Sequence, residues 1–418
     1  MKVRRRLPNA KPVVKKHLER TAKFKWDNIL EDPRSSFNRV WSFEYMINTF
    51  WNGMLTGCKN LREVEDLSEC YHERIPDTTL HDIAVQISPE PLRERIAKEV
   101  KKALRAHELP RKDFPIRLTA IDGKCVSISK KSVGDFSQKS ECNDTVMYVN
   151  RVLRAMHVSN ETKLLLGQRE ICGKTTETGE FKDFLNELLE YYGKTDLLEV
   201  ISVDAGMNSK KNADFIVEKK LDYIMALKHP QTRLLNLSKD LLSECKDADE
   251  ITEEKANGKL VIRMLYRCYA PECPGWDHLK EFWRINQKTI DSKGNVSIEE
   301  RYFMTSINPD KLSNAEVLKA IRIHWGIENN GNWVFDTVWE EDDSPWCNRG
   351  FTFVSLLRIL AYNVLARLKE RRFRKKNDRE RSWSGIMKLI NAVILTFRNE
   401  LLPNKELNPT SPFKTKNP

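Results

Sequence analysis

Two aspartates stand directly after apolar runs that read as β-strands. Asp122 follows Leu118, Ala120 and Ile121 and precedes Gly123, and Asp204 follows Val200, Ile201 and Val203 and precedes Ala205-Gly206. Carboxyl ends of strands are where open α/β sheets hold their ligands. A lone aspartate in such a place often only opens a turn or caps the next helix; two of them shift the balance towards chemistry. A third acid, Glu328, lies in Ile321-Arg322-Ile323-His324-Trp325-Gly326-Ile327-Glu328-Asn329. There Val317, Ile321, His324, Trp325 and Glu328 recur at helical spacing, so the carboxylate shares the apolar side and needs a partner or a cation. Three carboxylates without a basic partner suit a hard, oxygen-loving ion such as Mg²⁺. Two such ions can align nucleophile and leaving group across a phosphodiester.

Close by are candidate helpers for phosphate: Lys124 beside Asp122, Lys228 after the run Tyr223–Leu227, and His324 one turn before Glu328. Each is equally readable as an ordinary surface residue. Asp336 lies about two turns beyond Glu328 and competes as third ligand, whereas Glu340, Glu341, Asp342 and Asp343 read as the end of that helix. Phosphate loops, dinucleotide fingerprints, nucleophile elbows and H-E-x-x-H zinc motifs are absent.

Elements must position these acids. Residues 34–110 have helical spacing, with Pro89 and Pro91 at a helix start. From 115 the pattern becomes strands, near 115–123, 147–158 and 162–171, followed by a helix at 179–193, a strand at 198–203, a helix at 208–220 and a strand at 223–227. A mixed α/β core follows from this order. Residues 229–306 read as an inserted β-rich lobe with strands Leu260–Tyr269, Glu281–Ile290 and Val296–Ser306. Helical spacing returns after Ser313, through about 339, then at Phe351–Lys369 and Trp383–Phe397.

The 418 residues are enough for two or three domains, and 40% hydrophobic content is enough for a core. Lys and Arg number 71 against 60 Asp and Glu, a net charge of +11. The excess is clustered. Residues 1–30 hold ten basic residues against Glu19 and Asp27, and residues 367–381 hold nine against three acids, including Arg371, Arg372, Arg374, Lys375 and Lys376. Clustered cations suit a polyanion, because each phosphate contact releases counterions. A mean hydropathy of −0.57 without an apolar run near 18 residues argues against a membrane span, and no secretory leader is legible. A cytoplasmic, nucleoid-associated protein is expected. The nine cysteines contain no C-x-x-C pair and read as reduced thiols.

Taken in order, Ala120-Ile121-Asp122-Gly123-Lys124, Val203-Asp204-Ala205, Asp222–Lys228 and His324-Trp325-Gly326-Ile327-Glu328-Asn329, with Trp333, Asp336 and Glu341-Asp342 after them, resemble the H-repeat-associated branch of DDE insertion-sequence transposases. The similarity covers roughly residues 35–370, and Arg301–Ser306 resembles the strand before that family's final helix. The resemblance implies an RNase H-like catalytic core at 115–228 and 307–370, interrupted by the β-rich insertion at 229–306. An N-terminal helical domain (34–110) precedes it, with a basic arm (1–33) before that and a basic helix and disordered tail (371–418) at the end. It implies a DDE triad of Asp122, Asp204 and Glu328 converging within a few ångströms to bind Mg²⁺, with Mn²⁺ as a substitute. Lys174-Thr175-Thr176-Glu177 is similar to a K-S-N-E stretch of the family with Thr-Thr in place of Ser-Asn, so no role is carried over to Glu177. Phe335 stands where relatives often have a basic residue, so that contact is not carried over either. The implied activity is cleavage at element ends and strand transfer into target duplex DNA, by a homodimer assembled on DNA. A retired DNA-binding protein or an RNase H-like nuclease without strand transfer are the alternatives. The first would show loss of a triad acid, and none is lost.

Overall fold

Three parallel strands at the centre of the sheet set the architecture. The computed structural model describes residues 10–402 except 36–38, 72, 130–135, 143–144, 229–231, 257 and 344–345. The strands are β1 (Leu118–Ser129), β2 (Ser137–Cys142), β3 (Thr145–His157), β4 (Leu164–Glu170), β5 (Val200–Val203), β6 (Asp222–Leu227), β7 (Glu250–Ala256), β8 (Lys259–Tyr269), β9 (Glu281–Ile290) and β10 (Val296–Thr305). They form one sheet in the order β2-β3-β1-β5-β6-β10-β9-β8-β7, with β4 paired to β3. β1, β5 and β6 run parallel and the rest pair antiparallel. All four residues of β5 are buried, as expected for a parallel strand covered on both faces. This is a mixed α/β arrangement, as expected.

The helices are α1 (Ala10–Thr21), α2 (Phe43–Thr56), α3 (Leu61–Tyr71), α4 (Asp77–Gln86), α5 (Glu90–Arg105), α6 (Glu177–Tyr192), α7 (Lys210–Glu218), α8 (Thr232–Ser243), α9 (Asn314–His324), α10 (Trp333–Trp339), α11 (Phe351–Arg367), α12 (Lys376–Arg379) and α13 (Trp383–Thr396). Local chemistry sets several ends. Ser42 caps α2 and Gly57 closes it at φ 81°, a left-handed conformation that suits glycine. Ser313 and Glu316 form a reciprocal capping box on α9. α5 carries Glu90 in its first turn and Lys102 and Arg105 in its last, complementing the helix dipole.

Four expectations change. First, the β-rich segment is not a separate lobe. The inner half of β10 pairs with β6, from Tyr302 opposite Leu227 to Thr305 opposite Ile224, so the insertion continues the central sheet. An unpaired β6 edge would otherwise leave its backbone groups open. β7 was missed because its Glu- and Lys-rich sequence hides the alternation, and β2 because Ser-Gln-Lys-Ser-Glu-Cys has low strand propensity.

Second, the N-terminal arm is a docked helix from residue 10 onwards. Val14, His17 and Leu18 of α1 are buried, as are Phe24 and Trp26 after it. Trp51 of α2 donates its indole N–H to the Ala22 carbonyl at 2.8 Å. Its basic residues therefore occupy the outer face of a packed helix. The arm's Lys2, Arg4, Arg5 and Arg6, and the tail beyond 402, lie outside the described residues.

Third, residues 371–381 are not one basic helix but a turn after α11 followed by the single-turn α12. Fourth, Phe351–Arg372 is long and apolar enough to cross a membrane by composition, yet 94% of its apolar window is buried. Every residue of α11 except Thr352 is buried. A helix apolar on all sides is the expected centre of a large core. The described cysteines are free thiols.

Candidate active site

Asp122 is not at the end of its strand. β1 runs on to Ser129, but its parallel pairing with β5 stops at Ile121 opposite Val203, so Asp122 and Asp204 leave the parallel pair side by side. The carboxyl-end logic therefore holds for the pair rather than for β1 alone. Asp204 folds back on its own turn, Oδ1 accepting from the backbone N–H of Gly206 at 2.9 Å and of Met207 at 3.3 Å. One oxygen is thereby anchored by the turn, and Oδ2 makes neither of these bonds. The turn-forming and ligand-forming readings of this residue are compatible.

Glu328 arrives differently from the expected continuous α-helix. The chain leaves α9 at His324, passes through a π-helical turn at Ile327–Asn332 and resumes as α10. Such turns recur at functional sites because they re-aim side chains. Here Glu328 is turned out to solvent on the same turn whose Asn332 is buried. Asn332 Nδ2 donates to Asp122 Oδ2 at 3.1 Å, and its Oδ1 accepts from the buried Arg154 at 3.3 Å. Arg154 thus fixes which way the amide faces.

Burial pushes the Asp122 carboxyl up to about 7, and the negative charges of Glu328, Asp204 and Glu177 push in the same direction. Burial and then Asp204 also raise Glu328, opposed by Arg301 and Lys228. Four carboxylates therefore share one field. The fourth, Glu177, was passed over in the sequence. It opens α6 with its carboxylate packed on Gly123, where a Cβ would lie 2.1 Å from Oε1. The glycine after Asp122 makes room for a carboxylate of the chain itself. Only its place three residues after a lysine in a family-like stretch hinted at this. Among the described residues no three His, Cys, Asp or Glu side chains form a ready-made ion cage.

The rivals and helpers sort themselves by partner. Lys124 Nζ lies 2.5 Å from both Asp336 oxygens. The rival acid is thereby paired with the lysine. His324 has a partner of its own as well. Burial lowers its pKa to about 4, and Nδ1 lies 2.8 Å from Ser202 Oγ, so it is neutral at physiological pH. Lys228 is exposed and lines a groove of about 690 Å³ with Asp204, Glu328, Lys239, Arg301 and Trp325. Arg301 and Trp325 were not singled out beforehand; the guanidinium stacks 5.0 Å from the Trp325 ring centroid, across residues far apart in sequence. Arg371 donates to the Glu108 carbonyl at 2.9 Å and Arg372 pairs with the Glu108 carboxylate. Arg374 and Lys376 are exposed and Lys375 is half-buried, and Lys376 lies 3.6 Å from Glu380.

The raised Asp122 carboxyl makes stability depend on pH. In the unfolded chain it ionises near its ordinary value of 3.8, in the folded chain near 7, so the folded state holds the proton more tightly between them. That contribution to stability is present at low pH and is lost as pH rises through about 7. The buried His17, held down to about 3, and His157, held down to about 4, act oppositely, below their ordinary 6.5. The comparison therefore needs Asp122→Asn. Without divalent ions, wild type should lose several degrees of Tm relative to this variant between about pH 4 and 7, and Mg²⁺ should restore wild type at pH 8. Parallel Tm curves for the two proteins would contradict the shared acidic field.

The family model of the transposase DDE domain matches residues 113–364, a span that contains all four acids. The chain is 28% identical over 265 residues to "Putative transposase YncI" of Escherichia coli O157:H7, covering 60% of this chain and 63% of that protein. It is 25% identical over 360 residues to "H repeat-associated putative transposase YhhI" of Escherichia coli (strain K12), covering 79% and 87%. The match to YncI thus spans less than two thirds of that relative's length. Among solved structures, a piggyBac transposase synaptic complex with hairpin DNA aligns at a TM-score of 0.49 and 11% identity, over all of this chain and 88% of that one.

Proposed function

This chain belongs to the transposase DDE domain family, and from that premise we propose that it cuts DNA at the ends of an insertion sequence and joins the freed ends to target DNA. One acidic centre, built on Asp122, Asp204 and Glu328, serves both steps. The observation that carries this reading is that Asp122 and Asp204 leave the parallel pair side by side, close enough to Glu328 for the charges of Glu328 and Asp204 to raise Asp122 and that of Asp204 to raise Glu328.

The donor set fits Mg²⁺ or Mn²⁺: hard carboxylate oxygens, no lysine or arginine paired with any of them among the described residues, and Asp204 held by its own turn. Asp122, Asp204 and Glu328 would hold the metal, with Glu177 next to them. When bound, it supplies an activated water and charge neutralisation at the phosphate. The chain's residues do the positioning. Asn332 orients Asp122, and the Asp204 turn presents that acid. Lys228, Lys239 and Arg301 on the groove draw the phosphate backbone in against the acids' own repulsion. Water attacks phosphorus, the P–O3′ bond breaks and a 3′-OH is released. That 3′-OH then attacks a target phosphodiester, forming one P–O bond and releasing another 3′-OH. Duplex DNA is the substrate in both steps, a homodimer on DNA holds two ends together, and the protein acts at the nucleoid. We read 115–228 and 307–370 as the catalytic core and 34–110 as a separate helical domain.

The test is incubation with Mg²⁺ and duplexes carrying the inverted repeats that flank the gene. Expected are nicks at the repeat ends and products joined to a second, unrelated duplex. Cleavage without joined product would replace strand transfer with simple nuclease action, and an inert protein with all three acids intact would overturn the reading.

A further inference from the structure

Away from the acids, α1 and the turn after α11 enclose a cleft of about 360 Å³ lined by Lys16, Arg20, Arg371, Arg372, Arg374 and Lys375, with Asp378 as its one acid. Asp378 is already paired with Arg381 at 2.9 Å. Beneath the cleft, Arg367, Arg371 and Arg372 crowd on one buried residue, Glu108, the first at 2.6 Å from Oε2. Arg367 also lies 3.8 Å from the buried Glu99, whereas Arg371 meets only the Glu108 carbonyl oxygen and has no carboxylate partner among the described residues, so positive charge is left over on the cleft side. Lys16 and Arg20 are one helical turn apart on the exposed face of α1, while Arg374 is exposed and Lys375 half-buried across from them. Among the described residues none of these four has a carboxylate partner. His17 forms part of the lining: its Nε2 lies 2.8 Å from the Val364 carbonyl, and its buried Nδ1 has no partner. A water bridging to a phosphate oxygen would satisfy that nitrogen.

We propose that this cleft is a second DNA-binding site, which grips the phosphate backbone of the duplex outside the segment being cut. The inference rests on DNA being the substrate. Cations spread over two elements around an open cleft suit a chain of phosphates better than a single anion. They are fixed in place because α1 is anchored by buried Val14 and Leu18 and the turn by buried Leu368 and Phe373. Such contacts carry no sequence information and act through counterion release. The site also explains why the basic residues of the two charge clusters, about 350 positions apart, face each other.

The experiment is duplex binding in EDTA, which takes catalysis out of the measurement, with a random 30-base-pair duplex between 50 and 300 mM salt. The full chain is compared with Lys16→Ala/Arg20→Ala/Arg374→Ala/Lys375→Ala, three exposed positions and the half-buried Lys375, with Tm as the folding control. Each lost phosphate contact lowers the slope of log affinity against log salt by roughly 0.9, so four should lower it by about 3.6 and weaken binding at least about a hundredfold at 0.1 M salt. Equal loss on random and element-end duplexes is also expected. An unchanged slope while Mg²⁺-dependent nicking persists would overturn the cleft and leave the transposase reading standing. Loss confined to single-stranded RNA, with duplex binding intact, would overturn it too.

Discussion

Asp122→Asn, Asp204→Asn and Glu328→Gln should each lower Mg²⁺-dependent nicking by on the order of a thousandfold or more. Ligands that hold a cation at a phosphodiester are worth several kcal/mol in the transition state, and about 4 kcal/mol is a thousandfold in rate. Duplex binding should be unchanged or slightly tighter, because removing a carboxylate lessens repulsion of phosphate. Glu177→Gln should fall between, at roughly tenfold, since it shares the field of the triad without being one of its three acids. Asp336→Asn should cost less than Glu328→Gln, because Asp336 is paired with Lys124 rather than with the other acids. Nicking rates in the reverse order would move the third ligand down the helix. Loss of DNA binding together with nicking would mean that the acids act through folding.

The second large effect is on stability. Arg154 and Glu341 are both fully buried, at 2.7 Å, with Arg358 at 3.5 Å from the same carboxylate. Ser355 and Gln168 complete the network, and the Arg154 guanidinium stacks 4.3 Å from the Phe335 ring centroid. Removing one member strands the others in an apolar interior, which costs about 3–5 kcal/mol. Glu341→Leu should be worse than Arg154→Met, because it leaves two guanidiniums without their carboxylate, whereas Arg154→Met leaves Glu341 with Arg358. Denaturant unfolding should show this order, with the double variant more stable than Glu341→Leu alone. Arg154→Met should further impair nicking at temperatures where it is folded, because Asn332 loses the bond that holds its amide towards Asp122. Full activity there would show that Asn332 orients Asp122 unaided.

How much of this was legible in the chain follows the range of each interaction. Strands and helices with strong local patterns stand within a few residues of their sequence reading: β5 and β6 from their apolar runs, α6 from Phe181, Phe184, Leu185 and Leu188, α11 from its unbroken apolarity. The candidate acids were legible for the same reason, since a carboxylate after an apolar run is a local anomaly. Local pattern also misled. Glu341 reads as the acidic end of a helix, yet it is buried beneath Arg154, which is 187 positions earlier in the chain.

By itself, then, the sequence determined which acids follow buried apolar runs, the α/β class and where positive charge is concentrated, because residue type and periodicity carry those properties locally. Tertiary structure alone decided what each charge does. Lys124 meets Asp336, Glu177 enters the acidic field through the gap at Gly123, and His324 becomes neutral against Ser202. The π-turn carries Glu328, and α1 docks its basic face opposite the turn after α11. Each of these depends on two segments far apart in the chain meeting in space or on a helix distorted by its packing. The free energy of a charge is set by those neighbours and by loss of water, neither of which is written in the residues beside it.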